Sequence, residues 1–529
     1  MDHTAYDKNL SDTTAWSASD LEQMARRDIS SDEIHRQLEI FRRPAPVTRL
    51  ERPCRLEDGI LKVREEDEEK LIGEWRQLAN SGRLAKFVPA SGAATRMFRD
   101  MKTALQGLTD GSIESTDSEL MHRLASALPE FPFWERLQAV SSTGEPSFEL
   151  VPGREKVRQL LVSLLEPSGL GLATLPKGLI EFHLYESGPR TAFVEQLLEG
   201  TSYLAAEGGT CRFHFTVSPE HMASFEEALT HAAPMIERQT GMKLEVSFST
   251  QSPSTDTLAV DLENRPFRLE SDELLFRPAG HGSLIENLHR FDGDVVFIKN
   301  IDNIAPERQH ADSGHWKRLL AGKLGQLQRN IFGLAHRLEL ACTDQLVTEA
   351  LDFLRDELSV QIDRDSLAPD LLTRRKEVLD LLDRPLRVCG VVRNEGQPGG
   401  GPFWVHQPAR GLTCQIVEAA QVDHEDPSQE EIWSSSTHFN PTDLVCGLRN
   451  RKGEPFDLSR FIDPEMSFIT EKSHEGRPLR ALERPGLWNG AMADWNTVFV
   501  EVPLSTFTPV KTVFDLLLPE HRTQRPDSA

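Results

Sequence analysis

The fifteen residues from Lys86 to Asp100, KFVPASGAATRMFRD, leave a chain few ways to fold around them. Phe87-Val88 reads as the end of a buried strand. Ala90-Ser91-Gly92-Ala93-Ala94 is a turn of small residues, and helical spacing begins at Met97. Strand, tight turn and helix start in that order aim backbone N–H groups at one point, which is how a chain holds a phosphate. Small side chains let an anion reach the backbone, and Gly92 is free to take φ > 0. Arg96 then offers a planar, permanently charged partner for phosphate oxygens. The competing reading is a plain strand–helix turn with an exposed arginine, and this stretch alone does not choose between them.

The rest of the chain supplies the context. At 529 residues it exceeds one ordinary core, and two to four domains or subdomains are expected. The net charge of −24 argues against broad binding to nucleic acid or anionic membranes, so an anionic substrate requires a local cluster of Lys and Arg. No apolar run approaches membrane-spanning length, and Met1-Asp2-His3-Thr4 lacks a signal-peptide core. The six cysteines are scattered without a C-x-x-C pair and read as reduced thiols, which predicts a cytoplasmic protein.

Residues 1–80 read as an N-terminal helical segment, with Ser19 and Glu22 as a capping box and Pro44 and Pro46 as a stop. Met97 to Leu172 reads as helical or irregular, broken at Gly144-Glu145-Pro146. Residues 81–308 form one α/β half: Arg212 to Val217, a helix from His221, then Leu244 to Phe248 give the strand–helix–strand order of a parallel sheet. Residues 309–385 read as a helical insertion, 386–519 as a second α/β half that completes the site, and 520–529 as a polar tail. Ligands bind beyond the carboxyl ends of the strands in such sheets, and Gly92, Gln251 and Asp302 all fall just past strand ends. Lys177 sits between a proline and a glycine, where a tight turn aims its ammonium; a solvated loop lysine is the commoner case. Lys299 is a weaker candidate, since a strand lysine can face solvent.

These motifs occur in the order of a known family. A-S-G-A-A-T-R-M resembles the phosphate loop of sugar-phosphate nucleotidylyltransferases, and Pro176-Lys177 resembles their proline–lysine pair. Gln251-Ser252-Pro253, Pro278-Ala279-Gly280-His281-Gly282 and Asn300-Ile301-Asp302-Asn303 resemble the uridylyltransferase subset. Phe507 to Lys511 is similar to the late lysine segment of UDP-sugar pyrophosphorylases, and Gln415 to Glu418 more loosely to one of their strands. Over its whole length the chain resembles the bacterial domain of unknown function 4301 family, whose name carries no activity. The resemblance implies an A-type nucleotide-diphospho-sugar transferase-like fold: α/β, with a mixed, mostly parallel sheet and flanking helices. It implies uridylyl transfer from a nucleoside triphosphate to a sugar 1-phosphate, with pyrophosphate release. Arg96, Lys177 and Lys511 would be catalytic; Ala90, Ser91, Gly92, Ala93, Thr95, Gln251, Gly280, His281 and Gly282 would hold the nucleotide; and Asp302 would hold Mg²⁺. Ala94 stands where the family has the last loop glycine, and its methyl is expected to narrow the approach of a phosphate.

Two other readings of the fold are a nucleotide-sugar-binding protein without turnover and an A-type glycosyltransferase. His183, His281 and His438 could also be read as a zinc set, though three histidines so far apart without H-x-H spacing are more often unrelated. Trp404, Trp488 and Trp495 could stack on a sugar or base, with core packing the commoner role.

Overall fold

The short runs rich in Val, Ile and Phe become strands buried on both faces. The computed structural model describes residues 16–43, 47–112, 123, 126–140, 154–206, 208–396, 399–407 and 410–523. The expected turn at residues 144–146 lies outside the described residues. A ten-stranded sheet forms the centre. Its path runs Arg55–Leu56, Gly59–Leu61, Asn496–Glu501, Leu386–Arg393, Asp443–Gly447, Val295–Lys299, Leu84–Pro89, Thr210–Thr216 and Lys243–Ser249, with His438–Phe439 pairing beside Leu386–Arg393. Asp443–Gly447 is antiparallel to both its neighbours, and every other pair along the path is parallel. The fold is therefore α/β with a mixed, mostly parallel sheet, as the strand–helix–strand order predicts. Strands from both sequence halves meet in it, since Val295–Lys299 pairs with Leu84–Pro89 on one side and with Asp443–Gly447 on the other.

Alternation along each strand assigns its side chains to two layers. Val88, Val295, Phe297 and Val388 face one core, and Phe87, Val296, Ile298 and Cys389 face another. The first core is covered by helices Glu65–Asn80, Ala192–Thr201 and the 31-residue His310–Leu340. Gly322 lets the long helix cross Glu65–Asn80 closely, because a Cβ there would lie 2.0 Å from Leu71 O. A second, antiparallel sheet of Leu50–Pro53, Gly401–Gln407, Gly411–Val417 and Val360–Gln361 shares a core with the first through Trp404, Cys414 and Ile416. No described helix is long and apolar enough to cross a membrane.

Three expectations need correction. Residues 1–80 are not helical throughout: Leu50–Pro53 joins the small sheet, and Arg55–Leu56 and Gly59–Leu61 form one edge of the large one. The N-terminal capping box is Ser17 with Asp20, two residues before Ser19–Glu22. The helix after the small-residue turn starts at Arg99, because Ala94–Arg96 first makes a 3₁₀ turn.

Candidate functional site

Strand Leu84–Pro89 delivers the small-residue turn to the carboxyl edge of the sheet, and three distant segments close on it. Ala94 N–H donates to Leu175 O (3.0 Å) and Lys177 N–H to Gly92 O (3.2 Å). The one-turn 3₁₀ helix Lys177–Leu179 aims the Lys177 ammonium at Asp302 Oδ2 (2.6 Å) and Val510 O (2.7 Å). Val510 N–H donates to Asp302 O (3.0 Å), and Thr508 N–H to Asn303 Oδ1 (3.0 Å). The loop, the proline–lysine turn, the Asn300–Asn303 turn and the late lysine segment are thus one hydrogen-bonded unit.

Asp302 and Lys511 line a cleft of about 390 Å³, together with Asn300, Glu418, Asn440 and Trp488. Trp488 Nε1–H donates to Glu418 Oε1 (3.0 Å), and the His281 ring stacks on Trp488 with centroids 4.2 Å apart. Burial pushes the His281 imidazole below its ordinary pKa, against the pull of Glu418 and Glu483. His281 Nδ1 accepts from Leu487 N–H (3.0 Å), which fixes the ring against the tryptophan.

A buried clamp lies beneath this edge. Helix Ala192–Thr201 starts at the Thr191 cap and carries Gln196 and Glu199 toward the sheet. Gln196 Nε2 donates to Asn300 O (3.0 Å), Ile301 O (3.2 Å) and Asn303 O (3.4 Å), so one carboxamide fixes the turn that bears Asp302. Glu199 accepts from Lys86 (2.8 Å) and Lys299 (2.5 Å), which lie on the two strands that deliver the loop and the Asp302 turn. Lys86 also donates to Gln196 O (2.9 Å). The lysines hold the Glu199 carboxyl well below its usual range, and burial lowers Lys86 to about 8. Lys317 and Asp443 make a further buried pair beside them. Lys299 is therefore a structural ion and does not face solvent. The sequence reading missed Gln196 and Glu199. The signal was two lysines inside apolar strands, each of which requires a carboxylate nearby.

The remaining expected residues divide. Ser91, Gly92 and Ala93 keep N–H groups without a partner among the described residues, and the space above Gly92 is open. Gly92 does not take a positive φ, contrary to expectation. Ala90 is buried and its N–H goes to Thr216 O (2.8 Å), so it cannot serve a phosphate. The Ala94 methyl packs in the core and does not narrow the loop mouth. Thr95 and Arg96 are exposed on the 3₁₀ turn, and Arg96 has no ion pair among the described residues. Gln251 follows the edge strand Lys243–Ser249, bonds Thr255 Oγ1 (3.1 Å) and is not among the residues lining the Asp302 cleft. The Gly280–Gly282 turn is filled by its own chain: added Cβ atoms would lie 2.7 Å from Glu483 Oε2 and 2.2 Å from Pro485 O. It meets the cleft through His281 on Trp488. The three-histidine set is dispersed. His183 bonds Glu195 (3.0 Å) and His521 (3.1 Å), and His438 lies 3.3 Å from Glu501. No cluster of three or more metal-ligating side chains occurs among the described residues. Trp404 and Trp495 are core residues.

Comparison with solved structures finds a UDP-glucose phosphorylase from Trypanosoma brucei at 14% identity and TM-score 0.44, covering 95% of this chain and 78% of that one. It also finds a uridine diphosphate N-acetylglucosamine pyrophosphorylase from the same organism, in complex with an inhibitor, at 11% identity and TM-score 0.45, covering 94% and 78%. A UDP-glucose pyrophosphorylase from Leishmania major matches at 12% identity and TM-score 0.40, covering 95% and 79%. No curated protein matches the chain. The family model of the domain of unknown function DUF4301 matches residues 17–522, and the chain belongs to that family.

Proposed function

We propose that this protein is a nucleotidyltransferase that moves a uridylyl group from a nucleoside triphosphate to a sugar 1-phosphate and releases pyrophosphate. The observation that carries the reading is the bonding of Lys177 to Asp302 and to Val510, next to Lys511, at the edge where Ser91, Gly92 and Ala93 hold N–H groups without a partner among the described residues. In-line attack by a sugar-phosphate oxygen on the α-phosphorus needs no protein nucleophile; the protein positions two anions and offsets their charge. The loop N–H groups and Arg96 hold the leaving phosphates. Lys177 and Lys511 flank the reacting phosphates, and Glu418 and Asn440 offer hydrogen bonds to hydroxyls in the cleft.

The donor set also fits Mg²⁺. Of the two carboxylates that line the cleft, Asp302 lies in the same turn as the Asn300 carboxamide and Glu418 is bonded to Trp488, and Mg²⁺ usually takes one or two carboxylates with phosphate oxygens and water. Asp302 would hold the ion, which when bound neutralises phosphate charge. Lys177 currently supplies that neutralisation at Asp302 and must share or release the carboxylate.

The test is pyrophosphate release from UTP with a panel of sugar 1-phosphates and Mg²⁺, for wild type and Lys177→Met. Release that Lys177→Met lowers at least about a hundredfold supports the reading. A second reading, nucleotide-sugar binding without turnover, is favoured by the closed Lys177–Asp302 pair and by the loss of the Ala90 and Ala94 N–H groups to internal bonds. Ligand-induced stabilisation by UDP-sugars without pyrophosphate release selects it. Transfer of sugar from a UDP-sugar to an acceptor selects a glycosyltransferase instead.

A further inference from the structure

A second cavity, of about 590 Å³, lies between the small antiparallel sheet and residues 462–468. Arg410 and Gln421 line it, at 2% and 3% exposure. Each keeps one donor, Arg410 Nε and Gln421 Nε2, with no acceptor among the described residues. The other Arg410 nitrogens meet neutral acceptors: Nη1 donates to Ala493 O (3.3 Å) and Trp495 O (3.2 Å), and Nη2 to Asn496 Oδ1 (2.9 Å). Arg387, also buried, bonds Thr497 Oγ1, Trp488 O and Gln415 Oε1. No carboxylate pairs with either guanidinium among the described residues. Asp494, whose charge acts on Arg410, faces Arg384 at 3.6 Å. A buried guanidinium without a counter-ion is costly, and its fork suits an oxyanion. Elsewhere on the wall are the charged residues Arg49, Asp463, Glu465 and Asp494, with Val405, Ile462 and Met466 as an apolar lining.

We propose that this cavity binds a small zwitterion with an apolar body, the chemistry of an apolar α-amino acid. The carboxylate pairs with Arg410 and Gln421, the ammonium with Asp463, and the side chain packs on Val405, Ile462 and Met466. A plain anion leaves Asp463, Glu465 and Asp494 opposing it, and a neutral sugar leaves the Arg410 charge unpaired. Gln421 also links this cavity to the first cleft. Its Oε1 accepts from Glu418 N–H (2.9 Å) and Asn489 Nδ2 (3.3 Å), and Glu418 lines that cleft. The proposal does not depend on the reaction at the first cleft.

The experiment is titration calorimetry on the full chain with L-leucine, L-phenylalanine, 4-methylpentanoate, isopentylamine and D-glucose. The two amino acids are expected to bind. The analogues that lack the amine or the carboxylate should bind at least about tenfold more weakly, the loss of one charge-assisted bond, and glucose should give no heat. Arg410→Gln and Met466→Trp should each abolish binding, and Lys511→Ala should leave it unchanged. Met466 is half-buried on the cavity wall, so a tryptophan there fills the space without disturbing the guanidinium and decides the case if Arg410→Gln does not fold. The proposal is overturned if no amino acid binds, if binding survives Met466→Trp, or if L-leucine and 4-methylpentanoate bind equally.

Discussion

Asp302 is the residue whose substitution separates chemistry from architecture. Its carboxylate and the Lys177 ammonium are 25% and 14% exposed, so their bond is partly shielded from solvent. A turn residue can accept the same hydrogen bond as an amide, and Asp302→Asn then changes little. A metal and phosphate partner loses its formal charge, and removing one such transition-state contact costs on the order of 3 kcal/mol, about a hundredfold or more in rate. The expected outcome is a fall of that size in pyrophosphate release with a raised Mg²⁺ requirement, while the melting temperature moves only slightly. Equal metal dependence in both proteins would take Asp302 out of the site. Arg96 gives an independent check at the loop. It is exposed and without an ion pair among the described residues, so Arg96→Lys leaves the fold alone and removes only the planar fork. Triphosphate affinity should drop while affinity for a sugar phosphate stays. Superimposable triphosphate isotherms would make Arg96 an ordinary surface residue.

At the scale of elements, helix Ala192–Thr201 joins the two strands that carry the site. Glu199 faces two ammoniums at no measurable exposure, so Glu199→Gln leaves both charges buried against an amide. That change should cost about 3–5 kcal/mol in unfolding free energy by denaturant titration. A loss below about 1 kcal/mol would mean that Lys86, which burial already lowers to about 8, sheds its proton at little cost. Gln196→Leu, which removes three carbonyl contacts from the Asn300–Asn303 turn, should loosen Asp302 and lower turnover more than stability. Here the limits of sequence reading become physical. The sheet was legible because strands buried on both faces must be continuously apolar, as Val295 to Ile298 is. The knot of Lys177, Asp302 and Lys511 was legible because each follows a recognisable strand end or turn. The clamp was not, because Glu195, Gln196 and Glu199 on a helix read as a solvated face until the structure buries all three. The edge strands at 50–61 were lost for another reason: two to four residues carry too little periodicity to be told from a loop. The glycines at 280 and 282 misled in a third way, since close packing on Glu483 and Pro485 demands glycine as strictly as a ligand does.

Over the whole molecule, the histidines buried in neutral form set how stability follows pH. His214 lies between Ser247 Oγ and Ser249 Oγ (2.8 Å each) and stacks on Phe87; burial lowers its pKa to about 4. His521 bonds His183 and is lowered to about 3 by burial and by that neighbour. Both stand below the ordinary histidine value near 6.5. Between 6.5 and 4 the unfolded chain binds these protons and the folded chain does not. The stability that these two histidines contribute is therefore complete above about pH 6.5 and falls as the pH drops toward 4, by about 1.4 kcal/mol per pH unit for each of them. Below about pH 4.5 the loss steepens, because Glu195 and Glu199 are held below their usual range by their partners and resist the protons that the unfolded chain accepts. His214→Phe removes one titrating group and keeps an aromatic ring beside Phe87. It should lower absolute stability, since two serine hydroxyls lose a partner, yet flatten the dependence between pH 7 and pH 5 by about one proton. The measurement is the thermal midpoint of both proteins across that range. Parallel curves would mean that His214 takes up its proton in the folded state near its ordinary pKa, and that the acid sensitivity arises from His521 and the other buried histidines.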